Sequence, residues 1–319
     1  MIISKTPLRI SFVGGGTDNL VNQNFEGNIV ATSINKYVFL NFNKKFDDKI
    51  RFSYSRTENV NNAQNIKHEM LRETFKYFKI TNSIEISSIA DVPSYGSGLG
   101  SSSSFLVGLI NCINFHKNLN LTKKKIAEIA CRIEINILNK PIGMQDQYIA
   151  AYGGLNWINF KSKKKILISK IKINKKRIEN FNENLCMIYT NQLRKSETVL
   201  KNVKKKKNFN ALKKLSSLAL DFKYELEQGS LDNLGDILNE GWQIKKELSN
   251  NTTNDKLDRI YNMGLKYGAK GGKLLGAGGG GFMLFYIKKR LLKNFKIKFA
   301  KFKIINFKFT TEGTKIFKI

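Results

Sequence analysis

Residues that stiffen or cross-link a chain are scarce here: 319 residues hold only 3 prolines, 3 cysteines and 2 histidines. No proline-rich linker, internal repeat or long low-complexity tract marks a boundary. Cys112, Cys131 and Cys186 stand alone without CxxC spacing. That argues against a zinc site or a disulfide framework and points to a reduced, cytoplasmic setting. His68 and His116 are single and unpartnered, so they read as core or surface residues, and Trp157 and Trp242 read as core rather than as base-stacking platforms. No stretch approaches the ~20 apolar residues needed to cross a bilayer. The start, MIISKTPLRIS, lacks the apolar run and cleavage site of a secretory signal. Acids are also few, 25 against 55 lysines and arginines, for a net charge of +30. Such an excess suits a polyanion partner, either nucleic acid or a phosphorylated small molecule. The lysines are nevertheless scattered, and the densest run, Lys204 to Lys207, lies between helical patterns. Most of the charge therefore reads as solvated faces of a lysine- and asparagine-rich composition. Neither a nucleic-acid nor a membrane partner is expected, and the oligomeric state, monomer or homodimer, stays open.

What is present can fill a core: 41% of residues are hydrophobic and 11% aromatic. Leu8 to Val13, Tyr37 to Phe42, Ile84 to Ile86, Leu155 to Phe160 and Ile166 to Ile173 read as strands. Phe105 to Phe115 is apolar all round, a buried helix. Thr122 caps a helix bearing Ile126, Ile129, Ala130, Ile133 and Ile137 at spacings of three and four, ended by Pro141 and Gly143. Leu185 to Tyr189 begins a second half with three helical patterns: Phe209 to Leu226, Leu231 to Trp242, and Leu257 to Gly264. The glycine loop Gly276 to Gly281 follows, then the strand Phe282 to Ile287 and a last strand pattern ending near Phe309. Mixed strands and helices in this order predict an α+β fold. Residues 1–175 and 176–319 form the two expected domains.

Asp91 to Phe105, DVPSYGSGLGSSSSF, is the most informative stretch. Glycine tolerates positive φ and lets backbone approach a ligand. If Ser101 to Ser104 open a helix, its unsatisfied amides and dipole form an anion site. A flexible linker would not run straight into a buried helix. The Walker A pattern fails because no lysine follows the last glycine, and Gly96, Gly98 and Gly100 give GxGxG, not GxGxxG.

Pro93 to Ser103 resembles the phosphate-binding motif of the GHMP kinases. Two further stretches resemble that family's motifs, in the family's order: Pro7 to Asp18 (PLRISFVGGGTD), the substrate-side motif, and Lys273 to Phe282 (KLLGAGGGGF), the third, glycine-rich motif. GGGTD, PIGMQDQ (Pro141 to Gln147) with Gly153-Gly154, GWQIKK (Gly241 to Lys246) and YTNQLRKS (Tyr189 to Ser196) are similar to the heptose 7-phosphate kinase and fucokinase branch, with Asn191 where glycine is usual. The resemblance spans almost the whole chain. It implies an N-terminal domain like domain 2 of ribosomal protein S5 and a ferredoxin-like α+β C-terminal domain. It also implies an ATP- and Mg²⁺-dependent kinase acting on the anomeric C1 hydroxyl of a sugar, a heptose 7-phosphate before a free sugar such as fucose. A fused pyrophosphorylase has no room in 319 residues.

Phosphoryl transfer needs positioning and charge neutralisation more than covalent chemistry. Gly96, Ser97, Gly98, Leu99, Gly100, Ser101, Ser102 and Ser103 are expected to cradle the ATP phosphates. Ser102 and Glu134 are expected to hold Mg²⁺ through hard oxygen, with Ser101 and Ser103 as alternatives for the hydroxyl. By the resemblance, Asp146 is the base that takes the proton of the attacking hydroxyl; an aspartate is a weak base, so its value lies in orientation and late proton capture. Arg9 is expected beside it, holding it as the carboxylate. Arg9, Gly15, Gly16, Thr17, Asp18, Gly278, Gly279 and Arg194 form the expected substrate side, with Arg194 gripping a phosphate. Two other readings compete: a nucleic-acid-binding module driven by charge, which predicts a basic stripe with interleaved aromatics, and a non-catalytic sugar sensor, against which Ser102, Glu134 and Asp146 all speak.

Overall fold

The structure is a computed structural model that describes residues 1–18, 20, 24–93, 96–161, 165–192 and 208–319. An eight-stranded mixed sheet dominates the first half. It is built from β1 (Ile2–Val13), β2 (Gly27–Lys44), β3 (Ile50–Ser53), β4 (Thr57–Val60), β5 (Ile84–Ala90), β6 (Leu155–Phe160), β7 (Ile166–Lys170) and a C-terminal β12 (Lys315–Lys318). The order is β12-β1-β2-β5-β3-β4, with β6 and β7 continuing from β2. At 18 residues, β2 is long enough to have two successive neighbours on one side: Gly27–Thr32 pairs with β6, and Val38–Lys44 pairs with β5. In β1, Pro7 has no amide to donate, and the β1–β2 register shifts between Pro7 and Leu8. Beyond the shift, Arg9 and Ser11 share one face at period two and line the same cavity.

Helices α2 (Ser101–His116), α3 (Lys123–Cys131) and α4 (Gln145–Tyr152) pack together over one face of this sheet, around Leu106, Val107, Ile110, Ile129, Ile149 and Ile158. The α2 helix is buried from Ser101 to Ile113 with few exceptions, but Phe115 is exposed, so the buried run ends earlier than the apolar pattern suggests. Thr122 caps α3, its side chain accepting from the Lys125 amide. The helix does not continue regularly: Arg132–Ile137 forms a π-helical turn in which the Leu138 amide reaches the Ile133 carbonyl at 2.9 Å. The extra residue per turn breaks the stripe, leaving Ile133 buried and Ile137 exposed, contrary to the expected unbroken apolar face. Helix α1 (Glu69–Tyr77) follows the β3–β4 hairpin.

The second half holds α5 (Lys175–Glu183), β8 (Leu185–Tyr189), α6 (Phe209–Glu227), α7 (Asn233–Glu247), α8 (Asp255–Lys266), β9 (Ala269–Leu274), β10 (Phe282–Ile287), α9 (Lys289–Lys298) and β11 (Ile304–Ile305). Its antiparallel sheet runs β11-β8-β10-β9. Strand, helices, strand, strand, helix, strand is the ferredoxin-like plan. The two halves meet through aromatics: Phe12 of β1 lies 5.2 Å from Phe181 and 5.4 Å from Phe222, ring centre to ring centre. Burying each such ring is worth about 1.5–3 kcal/mol.

At its far end the chain returns from the second half to the first. Phe309 bridges to Ile34, and β12 pairs with β1 from Ile2↔Lys318 to Lys5↔Lys315. The last strand pattern thus yields the short β11 and, further on, a strand that returns to the first sheet. The three cysteines are free, and each belongs to a different apolar cluster. Among the described residues, no helix is long and apolar enough to cross a membrane.

Candidate active site

Gly96, Gly98 and Gly100 all adopt positive φ, at 68°, 74° and 77°. Alternate left-handed residues bend the chain tightly into α2, and that is why glycine alternates there. Gly100 caps α2, and as a glycine it brings no capping side chain to the first turn. The serines that follow have separate tasks. Ser101 Oγ lies 3.0 Å from Ser97 Oγ within the loop, and Ser104 Oγ donates to the Pro7 carbonyl at 2.8 Å. Ser102 and Ser103 donate to opposite oxygens of Glu134, at 2.9 and 2.8 Å. Ser102 is exposed and Ser103 is buried, and both line the cavity.

Glu134 sits on the π-turn, 1% exposed. Gln147 Nε2 donates to its Oε2 at 2.6 Å, and together with the two hydroxyls this makes three neutral donors. No cationic side chain pairs with it among the described residues. Burial pushes its carboxyl up from the ordinary value, and the hydrogen bonds from Ser103, Ser102 and Gln147 oppose that shift.

One residue along α4, Asp146 lies in the first turn of its helix. Arg9 grips it bidentately, Nε to Oδ1 at 2.7 Å and Nη2 to Oδ2 at 2.6 Å. A third donor, Arg9 Nη1, reaches the Gly98 carbonyl at 2.5 Å, and the Arg9 amide reaches the Leu99 carbonyl at 3.0 Å. One arginine therefore locks the proposed base to the proposed phosphate loop. Asp18 closes the same wall. Its Oδ2 accepts from the Met144 amide at 2.6 Å, so close that a Cβ on Gly143 would lie 1.7 Å from it. Ser11 Oγ donates to Gln145 Oε1 at 2.9 Å.

Arg9, Ser11, Asp18, Ser102, Ser103, Glu134, Gln145 and Asp146 all line one cavity of about 770 Å³. The expected residues Arg9, Gly15, Gly16, Asp18, Gly96, Ser97, Gly98, Gly100, Ser101, Ser102, Ser103, Glu134 and Asp146 are among its walls. Four others are not. Thr17 is fully buried and its hydroxyl donates to the Asn28 carbonyl at 3.0 Å, so it shapes the turn. Leu99 is fully buried and anchors the loop through Arg9. Gly278 and Gly279 fold against Thr252, whose carbonyl accepts the Gly279 amide at 2.8 Å. Arg194 lies outside the described residues.

The third glycine-rich stretch mostly braces the first. A Cβ on Gly98 would meet the Leu275 carbonyl at 2.4 Å, and one on Gly281 would meet the Ser97 carbonyl at 2.5 Å. Of that stretch, Lys273, Gly276 and Ala277 reach the cavity. Residues not singled out from sequence also line it: Lys245, Lys273, Tyr54 and Arg56. The strand AKGGKL holds two lysines, Lys270 exposed and Lys273 buried, and the place of Lys273 at the head of the KLLGAGGGGF stretch was the available signal for it.

Residues 63–154 match the family described as GHMP kinases N terminal domain, and residues 222–296 match GHMP kinases C terminal. The chain is 31% identical over 339 aligned positions to the D-glycero-alpha-D-manno-heptose 7-phosphate kinase of Campylobacter jejuni, covering 100% of this chain and 99% of that relative. The chain belongs to the GHMP kinases. As a sugar kinase of this family it is a phosphotransferase. It is also similar to the bifunctional fucokinase/GDP-fucose pyrophosphorylase of Arabidopsis thaliana, 28% identical over 66% of this chain and 20% of that relative. Among solved structures, a D-glycero-D-manno-heptose 1-phosphate kinase from Bacteroides thetaiotaomicron superposes with a TM-score of 0.84 at 22% identity, over 100% of this chain and 99% of that one. A putative sugar kinase from Campylobacter jejuni gives 0.81 at 29%, over 100% and 98%. The two-domain α+β fold is that of the GHMP kinases.

Proposed function

We propose that this protein transfers the γ-phosphoryl group of ATP to the anomeric C1 hydroxyl of D-glycero-D-manno-heptose 7-phosphate, giving the 1,7-bisphosphate. The full-length likeness to the Campylobacter heptose 7-phosphate kinase supports the substrate class. The Arg9 clamp, which joins the Asp146 carboxylate to the Gly98 carbonyl of the phosphate loop, is the observation that carries the mechanism.

In this reading the amides and hydroxyls of Gly96 to Ser103 receive the nucleotide phosphates. The sugar's C1 oxygen attacks the γ-phosphorus, the new O–P bond forms as the bond to the β-phosphate oxygen breaks, and ADP leaves with that electron pair. Asp146 takes the hydroxyl proton late, as charge develops on the attacking oxygen; Arg9 holds its carboxylate in place meanwhile. Asp18 and the Gly15–Gly16 backbone orient the sugar. Ser102 and Glu134 offer adjacent hard oxygens, and a buried carboxylate with only neutral donors suits a cation. They would hold Mg²⁺, which when bound neutralises phosphate oxygens. A cytoplasmic setting supplies ATP, and the product would feed nucleotide-activated heptose synthesis for a surface polysaccharide, capsule or lipopolysaccharide.

³¹P NMR of the protein with Mg-ATP and D-glycero-D-manno-heptose 7-phosphate tests the proposal: a new anomeric phosphate signal is expected. The likeness to fucokinases favours one competitor, C1 phosphorylation of a free sugar. A signal with free fucose and none with any heptose phosphate would establish that competitor instead.

A further inference from the structure

Two lysines of the second half line the cavity without a carboxylate partner among the described residues. Lys273, on β9, is 6% exposed, and its Nζ donates to the Phe12 carbonyl at 2.6 Å. Phe12 stands two residues before the Gly14–Gly16 turn. Lys245, on α7, is half-buried and donates to the carbonyls of Gly276 and Leu274. An ammonium has three donors and no acceptor, and carbonyl dipoles alone are poor compensation for a buried charge. Burial pushes Lys245 down to about 7 and Lys273 well below its ordinary value, with Arg9 adding repulsion to both. Arg9 itself is already committed to Asp146. The neighbouring carboxylates, Asp146, Glu134 and Asp18, are each engaged elsewhere. Such a wall lacks one thing, an anion.

We propose that Lys245 and Lys273 form the subsite for the phosphomonoester that the acceptor sugar already carries, making the enzyme selective for a phosphosugar over a free sugar. This rests on the sugar-kinase reading above and deepens it. The nucleotide phosphates have their own cradle at Gly96–Ser103, on the first half. Lys273, by contrast, rests on the strand that enters the acceptor-side glycine turn. A bound dianion offsets that burial and repulsion and holds both amines as ammoniums, whose spare donors suit its oxygens.

The test separates this subsite from the heptose assignment. With the nucleotide site saturated by a non-hydrolysable ATP analogue, inorganic phosphate is titrated calorimetrically into the wild type, Lys245→Met, Lys273→Met and the double variant. Wild-type binding that weakens about 10-fold in each single variant and is lost in the double is expected, since each variant removes a charge-assisted hydrogen bond to the anion. Phosphate binding absent from the wild type, or unchanged in the variants, overturns the proposal whether or not heptose 7-phosphate is a substrate. In turnover assays the KM for the phosphosugar should rise about 10²-fold in the double variant while affinity for the ATP analogue holds. A fall in analogue affinity instead would assign the lysines to the γ-phosphate and sink the inference. Melting temperatures should hold or rise, because an unpaired buried charge is removed. Should the double variant not fold, the two single variants carry the same readouts.

Discussion

Gly96–Gly100 and Gly276–Gly281 have nearly the same composition and different work. The first exposes backbone: its positive-φ glycines turn the chain so that the opening of α2 faces the cavity. The second mostly hides backbone: its glycines let the chain lie against Ser97, Gly98, Thr252 and Gln192 with no room for a Cβ. Glycine richness therefore signals close approach, and whether a ligand or another strand of protein is approached depends on the fold.

The largest effect should come from the pair on which the first loop leans. Asp146→Asn is expected to lower turnover at least ~10²-fold while ATP affinity, measured by analogue titration, stays near that of the wild type. Near-normal turnover would remove the base from the mechanism and reduce the Arg9 clamp to a structural tie. Next, Gly281→Ala forces a Cβ to within 2.5 Å of the Ser97 carbonyl at a φ of 94°. It should destabilise the fold by about 3 kcal/mol or more and weaken nucleotide binding, with the sugar KM unchanged in whatever protein folds. A raised sugar KM at an unchanged melting temperature would instead make the second loop a substrate loop and break the contrast.

The smallest effect sharpens the side of the first loop proposed to hold Mg²⁺. Burial raises the Glu134 carboxyl in the fold, so its contribution to stability is full below the ordinary glutamate value and is lost as pH rises through the raised one. Metal-free Glu134→Gln should therefore melt above the wild type at pH 7, the gap closing toward about pH 4, while activity falls. Equal melting temperatures at both pH values would mean that Glu134 carries no stored electrostatic cost.

The legible residues were those whose chemistry has little other reason to be where it is. Three alternating glycines before serines, and an acid in PIGMQDQ, stand out against any background, and the structure gathers them around one cavity. Lys245 and Lys273 lie inside two of the quoted motifs but were not singled out, because lysine is common throughout this sequence and burial is a property of the fold. Thr17, Gly278 and Gly279 follow a motif in sequence but turn away from the cavity, since motif membership does not say which atoms face out. The spacing of Ile133 and Ile137 could not reveal a π-turn, because four residues fit a regular helix equally well. The β3–β4 hairpin escaped notice because Thr57–Val60 has one apolar residue and no alternation to read. The β12 strand escaped because only the partner edge of β1 makes a strand of KIFK.

The separation of the three cysteines gives this molecule a built-in set of clocks. Burial raises the Cys112 thiol to about 12 and the Cys186 thiol to about 11, and holds Cys131 well above its ordinary value, so none should react while its surroundings stay closed. Each thiol belongs to a different cluster: the large one shared by the two halves, the one among α2–α4, or the one in the ferredoxin-like half. Timed alkylation read by mass spectrometry would then report, cluster by cluster and without any introduced label, the order in which the layers breathe and which of them a bound nucleotide quiets.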